Sequence, residues 1–243
     1  MPDYKKLSEK LSEILGLEQQ PVGVLFIEGD ERPAGYSADK KYTFCQFLMK
    51  ARAGEKLLAG PDNITCANGA SALGFMEVPD RLRTGDFLEY LGTFTKEGAR
   101  RTMEEMPRFE LNRYSCIALS PLSQADFDPD VIVLETMPEH LMWLSLAALY
   151  EEGGRLNFSS SISNGTCVDV TAVPHLTQKL NVSLGCYGCR NATLIPDTCL
   201  LAGFPGSHLE RLVASLKAIR EKAMPRTREK RAFSRLLEKE GLN

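Results

Sequence analysis

Apolar residues along the chain recur at helical spacing in some segments and form strand-length runs in others. Leu7, Leu11, Ile14 and Leu15 share one face of a helix, and Val22–Ile27 is an unbroken apolar run. The same patterns predict further strands at Lys56–Ala59, Ser115–Leu119, Val131–Glu135, Leu156–Ser160, Leu180–Leu184 and Thr198–Ala202, and further helices at Phe44–Ala53, Asp80–Glu89, Lys96–Met106 and Ser207–Lys222. The sequence therefore predicts an α/β fold, with mixed α+β as the alternative, in which helices pack on a mixed sheet.

Two helix starts carry capping signals. Thr136-Met137-Pro138-Glu139 has the spacing of a capping box with an early proline, and Gly153-Gly154 is expected to end the helix that it starts. The small residues of Cys66–Gly74 suit a short, closely packed helix with Thr65 as its N-cap.

The length of the chain favours one domain. Its 243 residues suffice to bury a large core without disulfides or a metal. We assign residues 1–223 to a single α/β domain and residues 224–243 to a basic, mixed helical tail. The basic cluster Arg226–Arg235 is interpreted as a solvated surface rather than a docking site.

A weak internal repeat relates Phe44–Gly74 to Leu144–His175. Each half has an apolar helix, a glycine stop, a short strand and a polar loop before a Thr-Cys pair. Two explanations of this similarity stay open. Either the unit is duplicated and its two cysteines face one another, or the two segments resemble each other by chance.

Composition and charge exclude several classes of partner. A hydrophobic content of 43%, a charged content of 25% and a net charge of -3 are ordinary for a globular protein, so neither nucleic acid nor a membrane is an expected partner. The N-terminus lacks the pattern of a secretory signal, and Leu141–Tyr150 is too short to span a bilayer. We expect a cytoplasmic protein; a redox partner protein, a small-molecule ligand and a homo-oligomer stay open.

The seven cysteines are the unusual feature of the composition. In a reducing compartment, an odd number of cysteines indicates metal ligands, redox thiols or buried side chains rather than structural disulfides. Cys66 and Cys167 lie where helix-terminal amides stabilise a thiolate, and Cys186 and Cys189 form a CxxC pair beside the charge of Arg190.

This set of thiols fits an iron–sulfur cluster better than zinc. A structural zinc site usually has two close ligand pairs, whereas here one close pair accompanies scattered single cysteines, as in a 4Fe-4S site. Cys45 lies on an apolar helix face, where ligation and core packing are both open. Cys116 and Cys199 lie in apolar strand patterns and are expected to be buried side chains.

Seven motifs together resemble an uncharacterised prokaryotic family, domain of unknown function 169, common in methanogenic archaea and anaerobic bacteria. They are Pro21-Val22-Gly23-Val24, Phe44-Cys45-Gln46, Cys66-Ala67-Asn68-Gly69-Ala70-Ser71-Ala72-Leu73-Gly74, Met142-Trp143-Leu144, Gly153-Gly154-Arg155, Thr166-Cys167-Val168-Asp169 and Gly185-Cys186-Tyr187-Gly188-Cys189-Arg190. The resemblance covers roughly Leu15 to Leu216. It implies cysteine ligands at Cys45, Cys66, Cys167 and Cys186, whereas the family often has another small residue at the position of Cys189, and it implies no reaction and no catalytic residue. Cys189 is kept as a reserve ligand or redox partner because it forms the CxxC pair with Cys186.

Other chemistry has little support. The chain has neither a Walker loop nor a Rossmann fingerprint, and Gly203–Gly206 is interpreted as a turn. His140, His175 and His208 have no ligand spacing. The leading hypothesis is an iron–sulfur protein of an anaerobic prokaryote, in which one 4Fe-4S cluster serves electron transfer or small-molecule redox chemistry. A thiol–disulfide enzyme using Cys186 and Cys189, and a non-enzymatic module with structural zinc, are the alternatives, so enzymatic activity is left open.

Overall fold

Six strands form the sheet at the centre of the molecule. The structure is a computed structural model that describes residues 2–241. The strands are β1 (Val22–Ile27), β2 (Leu57–Ala59), β3 (Cys116–Pro121), β4 (Val131–Thr136), β5 (Asn181–Ser183) and β6 (Leu200–Pro205). Their order is β2-β3-β1-β4-β6-β5, and each neighbouring pair is antiparallel. The expectation of a single domain of mixed α and β structure is confirmed in its α+β form.

Parallel pairing, which the expected mixed sheet would contain, is confined in the described part of the chain to isolated bridges. They join Ser37 to Leu57 and Tyr42 to Ile64. Neighbouring strands of an antiparallel sheet need no helical crossover between them. The helices therefore need not alternate with the strands along the chain.

The two faces of the sheet carry separate helical layers. On β4, Val131 and Val133 belong to one core cluster and Ile132 and Leu134 to the other, because alternate side chains of a strand point to opposite faces. The first cluster includes α2 (Phe44–Arg52), α3 (Ala67–Ala72), α4 (Asp80–Arg83), α5 (Asp86–Tyr90), α6 (Lys96–Glu104), a π-helix (Gly165–Ala172), α8 (Val173–Thr177) and α9 (Tyr187–Ala192). The second includes α1 (Tyr4–Leu15), α7 (Pro138–Ala148) and α10 (Leu209–Arg228), and α11 (Arg231–Glu240) follows.

The strand predicted at Leu156–Ser160 does not form. The backbone of Ser159 pairs instead with the side chain of Asn181, donating to its Oδ1 at 2.8 Å and accepting from its Nδ2 at 2.7 Å. A side-chain amide thus takes the place of a neighbouring strand. The helix predicted over Asp80–Glu89 is divided into α4 and α5 at Gly85.

Both predicted N-caps are wrong. Thr136 ends β4 rather than capping α7, which begins after Met137 without a side-chain cap. The N-cap of α3 is Cys66, because the backbone of Thr65 donates to Tyr42 O at 2.9 Å in the bridge beside β2. Strand pairing therefore takes precedence over a local cap in both places.

The two halves of the weak repeat have different surroundings. Helix α2 contributes to one core cluster and α7 to the other, so they lie on opposite faces of the sheet. The first half contains β2, whereas its counterpart in the second half is irregular. What the halves share is that each leads to a cysteine at the start of a helix.

The π-helix is buried along its whole length and packs against β6. A Cβ atom on Gly203 would lie 1.9 Å from Val170 O, so only glycine allows the backbones to approach this closely. Gly203 therefore belongs to β6, and the turn expected at Gly203–Gly206 starts later, as a 3-10 turn over Gly206–His208.

A buried ion pair fixes the C-terminal end of α2 to the sheet. Arg52 near the end of α2 contacts Glu135 on β4, and both side chains are largely buried. Burial raises the pKa of Glu135, while the positive charge of Arg52 opposes the shift. Removing either partner would leave a buried charge, so the pair holds α2 in one position.

None of the helices within residues 2–241 has both the length and the apolar character needed to cross a membrane.

Replacing Gly203 by alanine is expected to destabilise the protein by about 3 kcal/mol or more, because the added methyl group overlaps Val170 O. Urea denaturation measures the loss. Gly29→Ala is the control, since a Cβ there meets no atom within 4 Å. If both variants unfold like wild type, the contact between the π-helix and β6 is not as close as described.

Candidate cysteine site

Five of the seven cysteines line one cavity of about 320 Å³. They are the predicted ligands Cys45, Cys66, Cys167 and Cys186 together with the reserve residue Cys189. Cys116 lies on β3 and Cys199 precedes β6, and neither lines this cavity. The structure thus brings together all the thiols that the sequence singled out and leaves out the two that were set aside.

Each of these cysteines lies at the start of a helix. Cys45 is in the first turn of α2, Cys66 is the N-cap of α3, Cys167 is in the first turn of the π-helix, and Cys186 and Cys189 are the N-cap and third residue of α9. The N-terminal end of a helix stabilises negative charge. Several helix starts therefore face one group of thiols.

A capping box positions Cys45. Thr43 Oγ1 accepts from the backbone of Gln46 at 3.3 Å, and Gln46 Oε1 accepts from the backbone of Thr43 at 3.0 Å. Gln46 Nε2 also donates to Ala192 O at 3.1 Å, which joins α2 to the end of α9. Thr43 Oγ1 lies 3.0 Å from Cys45 Sγ. Gln46 therefore fixes Cys45 relative to the CxxC segment.

A close backbone approach positions the CxxC pair. A Cβ on Gly165 would lie 2.8 Å from the backbone nitrogen of Cys186, so a larger residue would displace the segment. The backbone of Cys189 donates to Cys186 Sγ at 3.2 Å, and the two sulfurs are 3.0 Å apart. Thr166 Oγ1 lies 3.5 Å from Cys189 Sγ.

The thiols differ in how readily they ionise. Hydrogen bonds from Cys186 and Cys45 hold the pKa of Cys189 well below its usual range, and Thr166 adds to the effect. The same bonds, with burial, raise the pKa values of Cys45 and Cys186. Burial raises the pKa of Cys167, and the charges of Cys189 and Cys66 raise it further. The cavity thus favours one thiolate and opposes a second.

The rest of the cavity wall is uncharged. Apolar side chains of Phe44, Phe87, Leu88, Leu91 and Phe94 form much of it. Of the described residues that line it, none is a histidine or carries a formal charge.

Two polar atoms at the wall lack partners. Asn68 Oδ1 and Ser163 Oγ are buried and accept or donate no hydrogen bond within the described residues. Asn68 itself is held in place, because its Nδ2 donates to Asn164 Oδ1 and its carbonyl oxygen accepts from Asn164 Nδ2 at 3.3 Å. Buried polar atoms usually find partners, so these two are available to a group in the cavity.

Arg190, which the sequence placed near the thiols as a positive charge, does not line the cavity. Its guanidinium donates to the carbonyl oxygens of Leu184 at 2.6 Å and of Pro196 and Cys199 at 2.7 Å each. Arg190 therefore holds together the segments on either side of α9.

A buried carboxyl group, that of Asp169, stabilises the segment that precedes Cys186. Asp169 Oδ2 accepts from Ser160 Oγ at 2.6 Å and Ser183 Oγ at 2.7 Å, and burial raises the pKa of Asp169 to about 6. Ser183 Oγ accepts in turn from the backbone of Gly185 at 3.2 Å. This chain of bonds links the π-helix to the residue before Cys186.

The five thiols line the cavity without forming a ready-made site for one metal ion. Within residues 2–241, no set of three or more His, Cys, Asp or Glu side chains is arranged to hold one metal ion. The donor set at the cavity consists of thiols, the ligands that soft metals and iron–sulfur clusters take. The donor atoms of these residues are therefore of the kind that an iron–sulfur cluster takes.

Sequence reasoning did not identify Thr43, Asn68 and Asn164, or the apolar wall formed by residues 87–94. Thr43 and Asn68 lie within two residues of a predicted ligand, so a search of the neighbours of each cysteine would have found them. The apolar wall has no such signal, because its residues are distant from every cysteine in the chain.

Replacing Gln46 by alanine is expected to destabilise the protein by about 1 kcal/mol through loss of the capping box, and to expose the CxxC segment because the bond to Ala192 is lost. The rate at which iodoacetamide alkylates Cys189 in the metal-free, reduced protein should rise. Gln20→Ala, which removes an exposed bond to Ser123, is the control. Equal alkylation rates in both variants would contradict the role given to Gln46.

Comparisons with known proteins agree with the resemblance seen in the motifs. The sequence model of domain of unknown function 169, described as uncharacterised ArCR, matches residues 10–215. An uncharacterised protein of Methanocaldococcus jannaschii is 31% identical over 224 residues, which cover 90% of this chain and 96% of that protein. No solved structure matches the chain. On the extent of these two matches, the chain belongs to the family of domain of unknown function 169.

Proposed function

We propose that the cysteine cavity holds one 4Fe-4S cluster, with Cys45, Cys66, Cys167 and Cys186 as ligands and Cys189 in reserve. The observation that carries the proposal is that five thiols from four separate segments line one cavity. Scattered cysteines gathered by tertiary folding are typical of cluster sites.

Because the cavity wall is uncharged, a bound metal is the group that could balance the negative charge of the thiolates. Four thiolates in an apolar cavity repel one another, and no lysine or arginine among the described residues lines it to offset them. Coordination to a metal removes the thiol protons outright, so metal binding would release protons and overcome the raised pKa values of Cys45, Cys167 and Cys186.

The protein's own residues would orient and shield the bound group. The cysteines lie at helix starts, where the helix dipole favours negative charge, and Phe87, Leu88, Leu91 and Phe94 give the cavity an apolar wall. Asn68 and Ser163 have free hydrogen-bonding atoms for sulfide or for a small molecule. A bound cluster supplies one-electron transfer, to a redox partner protein or to a small molecule in a reducing cytoplasm.

Anaerobically purified or reconstituted protein is expected to contain about four iron and four sulfide per chain, as the cluster type requires. Changing Cys45, Cys66, Cys167 or Cys186 to serine one at a time should lower the iron content and bleach the visible absorption of the cluster. Elemental analysis and ultraviolet–visible spectroscopy measure both.

Cys116→Ser and Cys199→Ser are the matched controls, because both cysteines are buried but lie outside the cavity. Both variants should retain iron. A colourless protein without iron after reconstitution would refute the proposal, and stoichiometric zinc would favour the module with structural zinc instead.

A thiol–disulfide function of Cys186 and Cys189 is the second candidate. The two sulfurs are 3.0 Å apart, about 1 Å more than a disulfide bond, and Cys189 is the thiol that ionises first. A disulfide-bearing substrate would take two electrons and two protons from the pair and become two thiols, while the pair closes to a disulfide.

In metal-free protein, this second candidate predicts a two-electron thiol–disulfide couple in titrations against glutathione, followed by mass spectrometry. Cys189→Ser should abolish the couple and Cys66→Ser should preserve it. An intact couple in Cys189→Ser, or none in wild type, would rule the candidate out.

A further inference from the structure

A second cavity, of about 850 Å³, lies at the β5 edge of the sheet. Residues after α7, residues at the end of α8 and the first turn of α10 line it. It shares no lining residue with the cysteine cavity. The motif Gly153-Gly154-Arg155, which the cysteine site does not use, forms part of its wall.

The cavity is lined by more positive than negative charge. Arg155, Lys179 and Arg211 line it, and Glu152 is the carboxylate among the described lining residues. Glu152 lies 3.6 Å from Arg211, whereas neither Arg155 nor Lys179 has an ion pair or a side-chain hydrogen bond in the described structure. The net charge facing the cavity is therefore about two positive charges, and two of the cations are free to bind an anion.

The two glycines keep this side of the cavity open. Gly153 (φ 67°) and Gly154 (φ 84°) both adopt the left-handed region, and a Cβ on either would meet no atom within 4 Å. The backbone of Gly153 donates to Leu149 O at 2.7 Å and closes the end of α7. The chain then turns sharply, and Arg155 follows at the cavity wall.

The remaining wall is partly apolar and partly polar, with Asn157, Ser159, Thr177 and Gln178 among its polar residues. The accessible apolar side chains are those of Leu149 and Leu156, which are half-buried, while Leu180, Phe204 and Leu212 lie buried behind them. His208 lies beside Arg211, and burial together with that charge lowers the pKa of His208, so its imidazole is a neutral hydrogen-bonding group at pH 7. The cavity thus combines free cations with polar groups and accessible leucine side chains.

We propose that this cavity binds a small organic phosphate monoester, with the phosphate between Arg155 and Lys179 and the organic group against Leu149 and Leu156. A phosphate monoester carries close to two negative charges at neutral pH, which matches the net charge of the cavity. Arginine binds phosphate through paired hydrogen bonds and lysine through its point charge. The proposal does not depend on the cysteine site.

Isothermal titration calorimetry with phenyl phosphate, inorganic phosphate and phenol tests the proposal. Phenyl phosphate should bind saturably and more tightly than inorganic phosphate, because the ring adds apolar contact, and phenol should not bind. The double variant Arg155→Gln/Lys179→Gln should weaken phenyl phosphate binding at least tenfold, since it removes both free cations.

The control is Lys41→Gln/Lys222→Gln, which removes two exposed cations outside the cavity and should leave the affinity unchanged. Cys66→Ser protein should bind phenyl phosphate like wild type, so loss of the metal site and loss of this site are separable. Lack of saturable binding to wild type, or equal binding to wild type and the Arg155/Lys179 variant, would overturn the proposal.

Discussion

The close packing of the π-helix against the sheet is the constraint on which the cysteine site depends. All eight residues of Gly165–Ala172 are buried, and two glycines make this burial sterically feasible. Gly203 lets β6 approach the π-helix from one side, and Gly165 lets the segment before α9 approach its first turn. With these contacts in place, Cys167 and the CxxC pair share one cavity.

The cysteine cavity and the cavity at the β5 edge differ in the charge of the residues that line them. The cysteine cavity has an uncharged, largely apolar wall, so its thiols favour one negative charge and resist more unless a cation joins them. The cavity at the β5 edge has free cations and an exposed backbone turn. In the cysteine cavity, the low dielectric constant strengthens the repulsion between thiolates. In the cavity at the β5 edge, access to solvent keeps the cations charged.

Asn181 shows how the sheet edge connects these regions. Its side chain pairs with the backbone of Ser159 and its Nδ2 also donates to Asp169 O at 2.6 Å, inside the π-helix. The irregular segment that leads from α7 to the cysteine site is thereby attached to β5. The same segment contributes Arg155 to the cavity at the β5 edge. The side chain of Asn181 therefore stabilises the walls of both cavities.

The sequence by itself determined the main strands and helices, because their apolar periodicity is strong, and it selected the five cysteines that the fold brings together. It could not decide between a helix cap and strand pairing at Thr65 and Thr136, where backbone pairing holds the residue outside the helix start. Only the tertiary structure decided that Cys45 is both buried in the core and at the cavity, and that residues 87–94 face the thiols. These facts depend on contacts between segments far apart in the chain, which periodicity and spacing do not encode.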